Sequence, residues 1–192
     1  MRSKKIMQTR ELTIEEIREV YKKYLYYDFP DDERKPLSRI EKSIRDGQYL
    51  CIGAFDEEEH FLAYAFFVFE KETCLLDYYA VVPQMRGKGI GSAFLRLAIE
   101  TAGFPMTIIE IEDPRSGDAE EKTTRERRLD FYLKSGCVNA NVHVLAFGVE
   151  YLLLEYPLQG THEGEKLSEE YRSIYRSILP KNMYEKNISI IE

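Results

Sequence analysis

Three glycines stand at alternate positions in Arg86-Gly87-Lys88-Gly89-Ile90-Gly91. They lie between an apolar stretch ending Ala80-Val81-Val82 and a run, Gly89 to Ala102, with Ile90, Phe94, Leu97 and Ala98 at helical spacing. Bare backbone at this spacing lets the chain turn from strand to helix and bring its amides close to a ligand. The helix begins with free N–H groups and the positive end of its dipole, so the turn suits an anion. Arg86 and Lys88 add charge, and the whole suits a pyrophosphate. A glycine turn with no ligand is the alternative, though glycines in a helix start cost about 0.5–1 kcal/mol each.

The same letters exclude two other phosphate motifs. A P-loop needs Gly-x4-Gly-Lys-Ser/Thr, and no such string occurs. The dinucleotide fingerprint Gly-x-Gly-x-x-Gly/Ala fails at its last position, where Ser92 stands.

The element order points the same way. A first strand is expected around Lys5 to Thr9. Thr13 and Glu16 form a capping box ahead of a helix that stops near Phe29-Pro30. A polar connector, Asp28 to Pro36, leads into a helix over Leu37 to Arg45. Strands follow over Tyr49 to Phe55, Phe61 to Phe69 and Cys74 to Val82, then the Gly89 to Ala102 helix and a strand over Met106 to Glu112. Thr123 and Glu126 read as a second capping box, opening a helix that ends at Ser135-Gly136. Val142 to Phe147 and Tyr151 to Glu155 make a closing hairpin, and Leu167 to Leu179 a last amphipathic helix. This is an α/β chain of the α+β kind, a mixed sheet of about six or seven strands with helices on both faces. Three successive hairpin strands exclude a doubly wound parallel sheet.

Composition narrows the partners. A net charge of −7 over 192 residues disfavours general nucleic-acid binding and suits a cationic partner such as an amine. No apolar run approaches the ~20 residues that span a bilayer, and the first ten residues hold no signal-peptide core, so a cytoplasmic protein without membrane contact is expected. Cys51, Cys74 and Cys137 are far apart and form no metal-binding spacing with His60, His143 and His162; no metal is expected.

The segment Arg86-Gly87-Lys88-Gly89-Ile90-Gly91 resembles the Arg/Gln-x-x-Gly-x-Gly/Ala motif of GNAT acyl-CoA-dependent N-acyltransferases. Phe131-Tyr132 followed by Gly136 is similar to the family's Phe-Tyr-x-x-x-Gly segment. The resemblance covers the element order from about residue 5 to residue 157. It implies a GNAT-like fold with a mostly antiparallel, splayed central sheet and bound acetyl-CoA (coenzyme A). The pyrophosphate would lie on Arg86, Gly87, Lys88, Gly89, Ile90 and Gly91, with Ser92 beside it. The pantetheine would pair like an extra strand with Ala80, Val81 and Val82, and the Val82 amide would meet the thioester oxygen, a preorganised oxyanion donor. The resemblance also implies a homodimer through the closing hairpin or the C-terminal helix.

Amine acylation needs the amine deprotonated and the departing thiolate protonated. Tyr132 matches the family's general-acid position; packing alone is its other reading. Alternation along Met106 to Glu112 puts Ile108, Glu110 and Glu112 on one face, and Glu110 becomes the candidate base or amine-binding group. Pairing with an arginine is the bland alternative for Glu110, and a solvated strand end for Glu112. Asp77 is a weaker candidate. The sequence departs from the family pattern at Arg125, Arg128 and Cys137; the two arginines share a face with Tyr132 and either approach coenzyme phosphates or balance nearby acids. No histidine is placed by any local pattern to activate a cysteine.

The expected organisation is an acyltransferase domain over 1–160 with a C-terminal helical extension, 161–192, packed on it. The expected activity is acetyl transfer to a primary amine in a ternary complex, with a non-catalytic acyl-CoA-binding regulatory module as the alternative. The acceptor is a small-molecule or peptide amine, and Tyr26 to Asp32, acidic and aromatic, reads either as a lip of its cleft or as a solvated loop.

Overall fold

The computed structural model describes residues 7–31 and 33–191. Lys5 and Ile6 of the expected first strand, and Asp32 of the connector, lie outside the described residues. The chain divides into two compact units, Met1–Phe67 with Asp77–Gly103, and Val68–Leu76 with Phe104–Glu192.

In the first unit, β1 (Gln8–Glu11) pairs antiparallel with β2 (Tyr49–Phe55), Gln8 opposite Phe55 and Glu11 opposite Ile52. Thr13 caps α1 (Ile14–Val20): its hydroxyl accepts from the Glu16 amide, and the Glu16 carboxylate accepts from the Thr13 amide at 2.8 Å. Both orphan donors are satisfied, as the Thr-x-x-Glu spacing predicts. The helix runs through a π-helical turn (Tyr21–Leu25) into α2 (Tyr26–Asp28) and stops at Phe29, the residue before Pro30. After the connector, α3 (Leu37–Arg45) buries Ile40. The unit also holds Phe61–Phe67 of β3 (Phe61–Glu70) and Asp77–Val81 of β4 (Thr73–Val81). α4 (Ile90–Ala102) follows the glycine cluster and stops at Gly103, left-handed at φ 73°. Leu25, Ile40, Ile52, Tyr64, Phe66, Phe94 and Ile99 form this unit's core.

The second unit is built on β5 (Met106–Glu112). Thr73–Leu76 of β4 runs parallel to it, from Thr73 opposite Met106 to Leu76 opposite Ile109. On its other edge β7 (Val149–Pro157) pairs antiparallel over the whole strand, Met106 opposite Pro157 and Glu112 opposite Tyr151. β6 (Val138–Ala146) pairs with β7 through a bulge between Asn139 and Val142. The two strands join at Phe147-Gly148, both at positive φ, the backbone a two-residue hairpin turn needs.

Two expectations change here. α5 (Ala119–Lys134) starts before the predicted Thr123 box. Asp118 is its cap, accepting from the Glu120 and Glu121 amides, while Glu121 reaches back to the Asp118 amide. A carboxylate holding two orphan amides fixes the start, and Thr123 and Thr124 instead donate to Ala119 O and Glu120 O inside the helix. The C-terminal segment is also more than helical: α6 (Gly164–Ile178) and α7 (Lys181–Asn187) lead into β8 (Ile188–Ile191), which pairs with β6. The strand order is therefore β1-β2-β3-β4-β5-β7-β6-β8, a mixed α/β fold with eight strands, mostly antiparallel. Among the described residues no helix is long and apolar enough to cross a membrane.

The entry to α1 carries a pH-dependent clamp. Arg10 donates to both Glu16 oxygens, at 2.9 and 2.7 Å, and this holds the Glu16 carboxyl at about 2 against an ordinary 4.5. A folded value below the unfolded one stabilises the fold above pH 4.5 and is lost as pH falls toward 2. Thermal melts should show the wild-type midpoint falling more steeply across that window than that of Glu16→Gln.

Candidate active site

The glycine cluster is shaped by backbone conformation. Gly87 and Gly89 sit at φ 73° and 76°, and a side-chain carbon at either would meet nothing within 4 Å. Glycine is required there by the left-handed backbone, which costs any other residue about 1–2 kcal/mol. Gly89 is the N-cap of α4 and offers no side chain, so the first turn receives no cap from that position. Tyr79 on β4 donates to Gly91 O at 2.5 Å and stacks on Phe94 with ring centroids 5.6 Å apart, fixing that turn on the strand.

The two cations of the loop have different fates. Arg86 is committed: Nη2 donates to Asp28 Oδ1 at 2.5 Å and Nε to Val81 O at 2.9 Å. Asp28, nearly buried, also accepts from Tyr64 Oη at 2.9 Å. Lys88 has only Met85 Sδ within reach, at 3.6 Å, and no ion pair among the described residues. Ala80 and Val81 are half-buried at the end of β4. The Val82 amide, expected to face the thioester, donates to Leu62 O at 2.9 Å. Strand alternation turns the amide and carbonyl of Val81 to the opposite edge.

In the second unit Tyr132 lies on α5 with its ring 8% exposed. Its hydroxyl has no hydrogen bond among the described residues. Burial pushes the phenol well up, against the pull of the Arg128 charge. It therefore holds its proton at neutral pH. Glu110, half-buried on β5, accepts from Tyr171 Oη at 2.5 Å and from Tyr175 Oη at 3.1 Å to each oxygen. Glu112 takes the arginines: Arg125 at 3.2 Å and Arg128 at 2.9 Å. Those arginines balance an acid, and Arg125 also donates to Ser116 Oγ at 2.9 Å.

Asp77 is tied down by Lys35 and Tyr49. The connector is stapled to β4 as well, because Tyr78 Oη accepts from the Lys35 amide at 2.7 Å and donates to Glu33 O at 2.9 Å. Tyr26 lies under the Arg34 guanidinium, 4.0 Å from its ring centroid, and Tyr27 is 77% exposed. One constellation escaped sequence reasoning. His143 Nδ1 lies 2.6 Å from Asp113, which burial would raise but which Arg115 and His143 hold below the usual carboxylate range. The two residues stand thirty positions apart, Asp113 just past the end of β5 and His143 on β6, and no local pattern joins them.

A strand thus leads through left-handed glycines into α4, inside a mixed sheet of this order. The family model for the Acetyltransferase (GNAT) family matches residues 14–112, and the chain belongs to that family. It is an acetyltransferase, and acetyl-CoA is its cofactor. Among solved structures it is similar to a GNAT-family protein from Bacteroides thetaiotaomicron (18% identity over 89% of this chain and 97% of that one, TM-score 0.69). It is also similar to the spermidine N-acetyltransferase from Vibrio cholerae in complex with CoA and spermine (11% identity, 78% of this chain and 94% of that one, TM-score 0.55). A dodecameric form of the Vibrio cholerae enzyme aligns with TM-score 0.57 at 11% identity, over 78% of this chain and 92% of that one. At such identities the likeness is one of fold. No curated protein sequence matches the chain.

The cysteines stay outside the chemistry. All three are free and buried, and burial pushes the thiols of Cys74 and Cys137 up to about 12 and that of Cys51 well above its ordinary value. Thiolate is the reactive form. Iodoacetamide at pH 8 should leave the native protein unlabelled by mass spectrometry and modify all three positions once it is unfolded.

Proposed function

We propose that this acetyltransferase moves the acetyl group to a primary amine by direct attack in a ternary complex. The observation that carries this reading is the α4 N-terminus, which takes no side-chain cap from Gly89, behind left-handed Gly87 and Gly89, with Lys88 outside any ion pair among the described residues. Those features fit the pyrophosphate of acetyl-CoA. The loop from Arg86 to Gly91, with Ser92, would hold the pyrophosphate, and the end of β4, Ala80, Val81 and Val82, the pantetheine. With the Val82 amide bonded to Leu62, Val81 is the better donor toward the thioester oxygen. Acetyl-CoA supplies the activated thioester. Arg86 acts by shaping the loop, since its guanidinium is held by Asp28.

Tyr132 is the general acid of this reading: burial keeps the phenol protonated, and its hydroxyl, without a hydrogen bond among the described residues, is left to give a proton to the departing thiolate. Glu110 receives the amine, as base or as binding group. The acceptor is a cationic amine; the acidic and aromatic connector and the net charge of −7 support it. The fold neighbour with spermine bound makes polyamines the first to try. Three free cysteines fit a reducing compartment, and a cytoplasmic protein follows. In this reading residues 1–160 form the acyltransferase domain with 161–192 packed on it, and the active form is a homodimer.

Calorimetric titration with acetyl-CoA should show saturable binding, with none for NAD or ATP. Absence of acetyl-CoA binding would remove the assignment of the loop. Tyr132→Phe should lower turnover about a hundredfold with acetyl-CoA affinity unchanged. Turnover equal to wild type would take Tyr132 out of the mechanism.

A further inference from the structure

Glu110 is a charge in an apolar row. Its partner across the ladder is Leu153, itself opposite Val142, and along its own face of β5 stand Ile108 and Glu112, the latter held by Arg125 and Arg128. Such a placement is costly without donors. The donors come from far along the chain: Tyr171 and Tyr175, one helical turn apart on α6, both present their hydroxyls to this one carboxylate. Tyr171 is wholly buried and Tyr175 nearly so. Their rings pack at 4.9 Å, and Phe147, 51% exposed, lies 6.4 Å from Tyr175. The half-buried carboxylate is thus held by two phenol hydroxyls whose rings pack on each other.

A structural tie alone does not call for this arrangement. An apolar side chain in place of Glu110 would pack against α6 without a charge to satisfy. A carboxylate held by neutral phenol hydroxyls keeps further lone pairs, which an ammonium group can meet with charge-assisted hydrogen bonds.

We propose that Tyr171 and Tyr175 are positioning residues that hold Glu110 in one rotamer as the seat for the acceptor's ammonium group. Helix α6, which lies beyond the matched residues 14–112, thereby becomes part of the acceptor site. The inference rests on the reading of Glu110 as the amine-binding group, and it assigns binding rather than proton abstraction to that carboxylate.

Steady-state thiol release with acetyl-CoA, using spermidine as the probe amine, tests it. Tyr171→Phe and Tyr175→Phe should each raise the spermidine KM about tenfold with kcat within about twofold, and acetyl-CoA affinity by calorimetry should not change. Because Tyr171 is wholly buried, Tyr175→Phe is the variant less exposed to misfolding. A lowered melting temperature with unchanged KM makes the tyrosines purely structural and overturns the proposal. If Glu110→Gln raises KM while both tyrosine variants do not, only the role of α6 falls. If Glu110→Gln leaves KM unchanged, the reading of Glu110 falls with it. A wild-type enzyme that binds acetyl-CoA but neither binds nor acetylates spermidine overturns the ammonium seat while leaving the coenzyme assignment standing.

Discussion

Carboxylates on the strands are expensive to bury alone, and the way each is satisfied fixes where the rest of its unit docks. Asp77 draws in Lys35 and with it the connector before α3. Glu112 draws Arg125 and Arg128 and so orients α5. Asp113 takes His143 from β6, and Glu155, 2% exposed, takes His162 from the segment ahead of α6. Glu110 takes two phenols from α6 itself. Where the carboxylate is out of solvent, as at Asp113 and Glu155, removing its partner leaves a buried charge uncompensated, which typically costs about 3–5 kcal/mol. The acids that make the chain anionic are in this way also the ties that organise it.

The same logic reaches the glycine loop. Arg86 does not stand free beside a phosphate site; Asp28 at the end of α2 and the carbonyl of Val81 hold it. The loop is thereby pinned at its first residue and tied to Tyr79, and its last glycine opens α4 without a side-chain cap of its own. Preorganised donors of this kind bind an anion without first being ordered.

Local features of this fold were legible in the sequence because their causes are local. The capping box at Thr13, the proline after Phe29 and the apolar alternation of β5 each act within a few residues, and α1, its stop, and Met106–Glu112 fall where those signals put them. The start of α5 was misread because Asp118-x-x-Glu121 and Thr123-x-x-Glu126 satisfy the same pattern, and only the hydrogen bonds choose between them. β8 went unseen because four residues, Ile188–Ile191, make a strand only when β6 offers its edge. At the site, the glycines were visible as letters. The partners of Glu110, 61 and 65 positions away, were not, since Tyr171 and Tyr175 read as ordinary core residues of an amphipathic helix.

The outermost strands of the sheet, β1 and β8, are four residues each. An edge strand is a template on which another chain can add its own ladder, and its danger grows with its length and flatness. β8 covers part of the β6 edge and offers only a short rim of its own. Sheet extension from chain to chain therefore has little purchase here, and crowding at high protein concentration should be resisted by the geometry of the rims as much as by net charge.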